Sequence, residues 1–309
     1  MLCIFLSSLK TAHKEAERKV IAQCLLKLMN SWNTWLINSL HDLENKHLVR
    51  SLRTIHCSRQ QGQHHQSSIE IFVSHAVLRA WIADASSVGS EDGAALFSVG
   101  VEEDVSTLQR IVLFSTNDYL GLSAHPKIKH AMASAATSEG MGPRSSPLIA
   151  GYTQHHRALE TKLAALKGTE DCLLYPSGFA ANIAVITSLC IRQKDEEPAA
   201  IFSDELNHAS IVDGCKLAKS TSSATIYIYR HNDMRHLEQL LSKSTVKRKL
   251  VVTDSLFSMD GDVAPLRALS RLKQQHGFLL AVDEAHGTLV QNTNPLNFSS
   301  ACKQFADIP

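Results

Sequence analysis

A doubly covered α/β fold with a mainly parallel sheet is predicted for this chain, and three observations predict it. Short apolar runs recur from Cys172 to Val282, separated by stretches long enough for a helix. The intervening stretches carry helical rather than alternating periodicity, as crossovers between parallel strands must. The strand-like runs are near-continuously apolar, which fits strands covered on both faces. The last run, Phe278–Val282, ends in Asp283-Glu284-Ala285-His286-Gly287 and delivers a carboxylate and an imidazole to the carboxyl edge of the sheet.

Residues 1–30 carry no nameable chemistry. From Ser31 to Arg53, Trp32, Trp35, Leu36, Leu40, Leu43 and Leu48 recur at helical spacing after a capping Asn30 or Ser31. Arg50 and Arg53 close that helix, where cations complement the macrodipole. The polar run Cys57–Gln66 is a loop or disordered insert with His64 and His65 in solvent. A second amphipathic piece around Ile69–Ala83 and the Gly/Ser/Asp-rich 84–93 complete an N-terminal extension and helical arm, 1–109. A larger domain follows over 110–290, and 291–309 is a tail of different character.

The α/β alternation begins near Arg110. Ile111–Ser115 is predicted as a strand, and Thr116–Leu122 turns out of it. Pro126 suits the first position of a helix that stops at Gly140. The Gly- and Pro-rich 140–147 is a loop. Gln154–Lys167 is a helix with Leu159, Leu163 and Leu166 on one face and Gly168 as its stop. Strands are predicted at Cys172–Tyr175, Ala200–Ser203, Ala224–Tyr229, Leu250–Thr253 and Phe278–Val282.

Apolar residues make up 44% of the 309 and charged residues 20%, which are ordinary globular values. A formal net charge of +1 gives no electrostatic reason for a nucleic-acid or anionic-membrane partner. The 7 cysteines are odd in number, scattered and without a CxxC pair, so reduced thiols are expected rather than disulfides or a zinc site, and no metal is expected. Met1–Leu9 is apolar but too short to span a bilayer, and Glu15 and Glu17 spoil a transit peptide. A cytoplasmic location is expected.

The candidate chemistry sits where strands meet helices. Ser177-Gly178-Phe179 opens a helix near Ala180, and exposed N–H groups there suit a phosphate; a plain tight turn is the alternative. No GxxxxGK[ST] occurs, so Asp283–His286 is not the box of a helicase. His208, opening a helix after a strand, either lies over an aromatic cofactor ring or is structural. Asp283 at a buried strand end needs a cation, and a protonated pyridine nitrogen, as in pyridoxal phosphate (PLP) sites, would be one. His286 could reach the phenolic oxygen of the same ring, and Ser258, after another strand, could donate into that group.

These residues lie in runs that resemble the α-oxoamine synthases, PLP enzymes with an aspartate-aminotransferase-like fold. The runs are FSTNDYLGLSAHP (114–126), GPRSSPLIAGYTQHHRALETKLAALKGTEDCLLYPSGFAAN (142–182), IFSDELNHASIVDG (201–214), VVTDSLFSMDGDVAPL (251–266) and AVDEAHGTLV (281–290). With the arm at 31–56 they resemble most the plant branch that makes 8-amino-7-oxononanoate for biotin. The resemblance implies PLP as cofactor, with backbone contacts from Gly178 and Phe179 to its phosphate and His208 stacked on its ring. It also implies Ser258 and His286 around the ring oxygen, Asp283 on the ring nitrogen, and Arg50 on the acyl substrate. Asn117 and Tyr119 fall in a family motif beside the site, without an assigned role. The implied reaction condenses L-alanine with a pimeloyl thioester, carried on coenzyme A or a carrier protein, and releases CO2. Family members are homodimers, and a peroxisomal signal at the C-terminus is the alternative to a cytoplasmic location.

One departure stands out. The family lysine that holds PLP as a Schiff base follows Asp283 after a further strand, in a Ser/Thr-x-x-Lys run. Here 291–309 loses the resemblance, and Lys303 comes too early and lacks the flanking pattern, so it reads as a surface lysine. The expectation is a large domain without its C-terminal small domain, inactive alone. A non-catalytic partner subunit and a glycine- or serine-using relative are the alternatives.

Overall fold

Four parallel strands in the order β4-β3-β5-β6 make the sheet: β3 (Ala200–Asp204), β4 (Thr225–Tyr229), β5 (Lys249–Asp254) and β6 (Leu279–Asp283). The structure, a computed structural model, describes residues 32–43, 45–46, 55–57, 70–86, 108–194 and 196–290. The chain divides into two units, Met1–Thr116 and Asn117–Pro309. Arg50, the predicted helix beyond 46, the histidines 64 and 65, and the tail 291–309 with Lys303 lie outside the described residues. No helix of the described residues is long and apolar enough to cross a membrane.

In the first unit, α1 covers 32–43, with Trp32 and Trp35 edge to face at 5.4 Å. The stretch predicted as one amphipathic piece at Ile69–Ala83 divides in two. β1 (Glu70–Val73) ends at Ser74, whose hydroxyl accepts the Val77 N–H at 3.3 Å and starts α2 (His75–Ser86). The alternating Ile71-Phe72-Val73 belongs to a strand and the rest to a helix, so a single periodicity does not describe it. The strand predicted at Ile111–Ser115 is β2 (Gln109–Val112), and it pairs antiparallel with β1 rather than opening the parallel sheet. An Arg110–Glu70 ion pair spans the two strands.

In the second unit the helices start and stop on local chemistry. Pro126 opens α3 (Pro126–Glu139), and Gly140 at φ 90 follows it. Thr153 and His156 form a capping box for α4 (Gln154–Lys167), with imidazole in the place usually taken by Glu or Gln, and left-handed Gly168 ends it. Ser177 caps α5 (Gly178–Leu189), His208 caps α6 (Ala209–Ser222) and Asp233 caps α7 (Met234–Lys243), each by accepting a first-turn N–H. Gly277 at φ 60 terminates α8 (Leu266–His276) and feeds β6.

The run Cys172–Tyr175, predicted as a strand, pairs with no strand among the described residues. The Leu174 N–H goes instead to the Glu160 carboxylate at 2.8 Å. Glu160 is buried, and the Tyr152 hydroxyl and that N–H hold its pKa below the ordinary carboxylate range.

Alternation along the strands builds a core on each sheet face. Phe202 and Val251 point to one side with Tyr229, under Leu237 and Leu241 of α7 and Leu269 and Leu272 of α8. Ile201, Leu250 and Val252 point to the other, under Ile186 of α5 and Ile211 and Cys215 of α6. Burial pushes the Cys215 thiol up to about 12, so it behaves as an apolar side chain. α5 and α6 touch at Gly214, where an added Cβ would lie 3.1 Å from Ile186 Cδ1 and 3.3 Å from the Asn182 carbonyl oxygen. Leu237 is 0% exposed and Leu279 57%. Leu237→Ala should cost about 2–5 kcal/mol in urea unfolding and Leu279→Ala under about 1 kcal/mol; equal costs would refute this placement of the core.

Candidate active site

Strand order sets the place. From β3 the chain crosses to β4 on one side and then returns to β5 on the other, so the crossovers part at the carboxyl ends of β3 and β5 and leave a crevice. The β3–β5 ladder runs only as far as Ser203 opposite Val252. Beyond it the Asn207 side chain stands in for a strand peptide. Its Nδ2 donates to the Val252 carbonyl at 2.9 Å, and its Oδ1 accepts the Asp254 N–H at 3.0 Å. That amide fixes the start of α6, because the next N–H, from His208, goes to Asp254 Oδ2 at 2.9 Å.

His208 is exposed at the mouth of this crevice. Its Nδ1 accepts the Ser210 N–H at 3.2 Å and lies 2.7 Å from the Ser210 hydroxyl. Phe179, in the first turn of α5, meets the His208 ring edge-on at 6.2 Å between centroids. Ser177 takes the Ala180 N–H at 3.1 Å; among the described residues no hydrogen bond is recorded from the Gly178 or Phe179 N–H. A Cβ built on Gly178 meets nothing within 4 Å, so an anion can approach this helix start without obstruction.

Asp283 ends β6. Its Oδ1 accepts the Ala285 N–H at 2.8 Å and its Oδ2 the Asn182 amide at 2.7 Å; Asn182 also donates to Ser210 Oγ at 2.9 Å. His286 Nδ1 lies 2.6 Å from the Tyr119 hydroxyl. A lysine reaches this turn as well: Lys167 pairs with the Glu284 carboxylate and donates to Thr288 Oγ1 at 2.7 Å, so its ammonium is already engaged. Burial pushes the Asp254 carboxyl up to about 6, the Asp283 charge adds to the rise, and the His208 N–H and the charges of His208 and His286 oppose it.

Gly178, Phe179, His208, Asp283 and His286 thus lie around one edge of the sheet. Ser258 does not join them by any recorded hydrogen bond; it is exposed in the turn after β5. That turn is held by His231, which bridges Asp204 at 2.9 Å and Asp262 at 2.8 Å. Burial works against a charged His231, but the two carboxylates outweigh it and raise its pKa. Asn182, Asn207 and Asp254 lie within the quoted runs but are not among the residues that the sequence reading singles out. The available signal was polarity at apolar positions: Asn182 interrupts Ala180–Ile186, and Asp254 directly follows an apolar strand.

An α/β sheet with acid, imidazole and helix start at its switch point is the large-domain arrangement of the aminotransferase-like enzymes. The chain belongs to the aminotransferase class I and II family, which residues 109–306 match. It is similar to 8-amino-7-oxononanoate synthase of Arabidopsis thaliana, at 43% identity over 297 residues, covering 86% of this chain and 62% of that protein. The enzyme of the same name from Geobacter sulfurreducens is 46% identical over 201 residues, covering 65% of this chain and 49% of its own. Among solved structures, Sphingomonas wittichii serine palmitoyltransferase superposes with a TM-score of 0.59 at 29% identity, over 75% of this chain and 57% of that one. The chain therefore spans about half to three fifths of the length of these proteins. The likeness to α-oxoamine synthases extends from motifs to fold.

The Asp254 environment gives a pH test. Its folded pKa of about 6 lies above the ordinary carboxylate value, so the group favours the fold at low pH and this contribution is lost as pH rises through about 6. Asp254→Asn, which stays neutral and can still accept the His208 N–H, should gain stability relative to the parent as pH rises from about 4 to about 6 and hold that gain at higher pH in urea unfolding. A gap independent of pH would contradict the assignment.

Proposed function

We propose that this chain carries the PLP-binding large domain of an α-oxoamine synthase that condenses L-alanine with a pimeloyl thioester, losing CO2 and giving 8-amino-7-oxononanoate for biotin. The carrying observation is that Asp283 and the His208 cap are tied through one amide, Asn182, beside the open helix start at Gly178. A phosphorylated pyridine ring fits such a set. The crevice offers a carboxylate for a ring N–H, an imidazole for the ring face and uncommitted backbone donors for a phosphate.

On this reading the Asp283 carboxylate holds a proton on the ring nitrogen. His208 lies against the ring, and the Gly178 and Phe179 N–H groups take the phosphate. His286, tethered by Tyr119, hydrogen-bonds the ring oxygen, and by the family resemblance Ser258 would join it there and Arg50 would bind the acyl substrate. PLP, when bound, supplies an electron sink for charge developed at the amino-acid Cα. A protonated ring nitrogen strengthens that sink, which is why a carboxylate with no cation of its own suits this position. The acyl donor is pimeloyl-CoA or pimeloyl carrier protein, and the working unit is a homodimer. The 43% identity to an oxononanoate synthase, against 29% to serine palmitoyltransferase, favours alanine; the latter's fold similarity keeps a serine-using acyltransferase as the second reading.

The test is an absorbance titration of the purified chain with PLP, then with amino acids. Saturable binding is expected, weakened about tenfold or more by Asp283→Asn, with L-alanine perturbing the bound spectrum at about tenfold lower concentration than L-serine. No saturable binding would defeat the PLP reading, and a serine preference would select the second.

A further inference from the structure

Resting on the reading of this crevice as a PLP site, we infer that Asn182 is a positioning residue that sets the hydrogen-bonding state of both groups around the ring. It holds Asp283 as an acceptor and holds the His208 proton on Nε2. Asn182 touches neither ring nor phosphate in this role; it acts through Asp283 and through Ser210.

The argument rests on hydrogen-bond direction. The Asn182 Nδ2 lies 2.7 Å from Asp283 Oδ2 and 2.9 Å from Ser210 Oγ, and an amide nitrogen carries two hydrogens and accepts nothing. Both partners must therefore present lone pairs to it. Turning the amide over would set its oxygen against the carboxylate, so the orientation follows from chemistry. Asp283 Oδ1 meanwhile accepts the Ala285 N–H at 2.8 Å. Each carboxylate oxygen thus faces one donor and keeps a further lone pair. The remaining lone pairs are left for a cationic N–H arriving from the crevice.

The second branch runs to the imidazole. Ser210 Oγ accepts from Asn182, so its single proton points elsewhere, and His208 Nδ1 is the acceptor 2.7 Å away. That same Nδ1 also takes the Ser210 backbone N–H at 3.2 Å, a longer contact that shares the nitrogen's single lone pair with the hydroxyl. With the 2.7 Å hydroxyl directed at that lone pair as the shorter contact, the ring proton of a neutral His208 sits on Nε2. Ser210 is 1% exposed, so water does not compete at its hydroxyl. A purely structural asparagine would need its amide satisfied; this one joins α5, α6 and β6 at the three points that define the site.

The test has two readouts. Nitrogen-15 NMR of the histidine rings, in the chain without PLP, should show His208 as the Nε2–H tautomer. Asn182→Ala should yield a mixture of tautomers and weaken PLP binding about tenfold or more, with circular dichroism unchanged. Ser210→Ala should mix the tautomers while leaving PLP affinity within about threefold, because the Asn182–Asp283 bond survives. A folded Asn182→Ala protein with a single Nε2–H tautomer and PLP affinity within about threefold of the parent would overturn the inference. Should Asn182→Ala fail to fold, Ser210→Ala decides: a mixture supports the relay and a single unchanged tautomer overturns it. A parent chain that binds no PLP would defeat the functional proposal alone, since the tautomer measurement needs no cofactor.

Discussion

Every polar group of the backbone must find a partner, and this chain meets that demand most acutely where its sheet divides. Beyond Ser203 and Val252 the two central strands part, and the ladder would leave the Val252 carbonyl and the Asp254 N–H without partners inside the protein. The Asn207 amide supplies both. A side chain that completes a ladder cannot move without breaking two buried hydrogen bonds, so the loop from β3 to α6 is pinned at that point. The helix start that presents His208 inherits the precision of the sheet.

The same edge concentrates like charge. Asp204, Asp254 and Asp283 end three of the four parallel strands, and each meets the problem differently. Asp204 takes the imidazole of His231. Burial raises the Asp254 pKa to about 6, so it is half protonated near that pH. Asp283 is held by two neutral donors, and no cation is recorded against it among the described residues. Asp204 thus has an imidazole partner and Asp254 a raised pKa, whereas Asp283 faces only neutral donors among the described residues.

The strands of the sheet were legible because each is a short apolar run, and their predicted limits fall within a residue or two of those observed. Gly168 and Pro126 marked helix ends for reasons of backbone conformation that no tertiary contact overrides. The failures have equally local causes. Cys172–Tyr175 has the composition of a strand, but Glu160 removed one of its ladder donors, and nothing in a one-dimensional pattern ties residue 160 to residue 174. At Ile69–Ala83 a strand and a helix abut across one serine, so two periods were averaged into one. In the site, groups that close motifs were visible, whereas Asn182 and Asn207 were not, because their roles depend on partners 101 and 45 residues away.

Gly214 touches none of the chemistry, yet its missing side chain sets how near α6 comes to α5, and the atoms it would press upon are those of the Ile186 side chain and the carbonyl oxygen of Asn182. In evolutionary terms that makes an ordinary helix position intolerant of drift. A single methyl group there would require neighbours to give by a few tenths of an ångström, and hydrogen bonds near 2.9 Å are sensitive to displacements of that order. Lineages that keep the reaction would be expected to keep the void, and substitution there would act as a slow erosion of the site from behind.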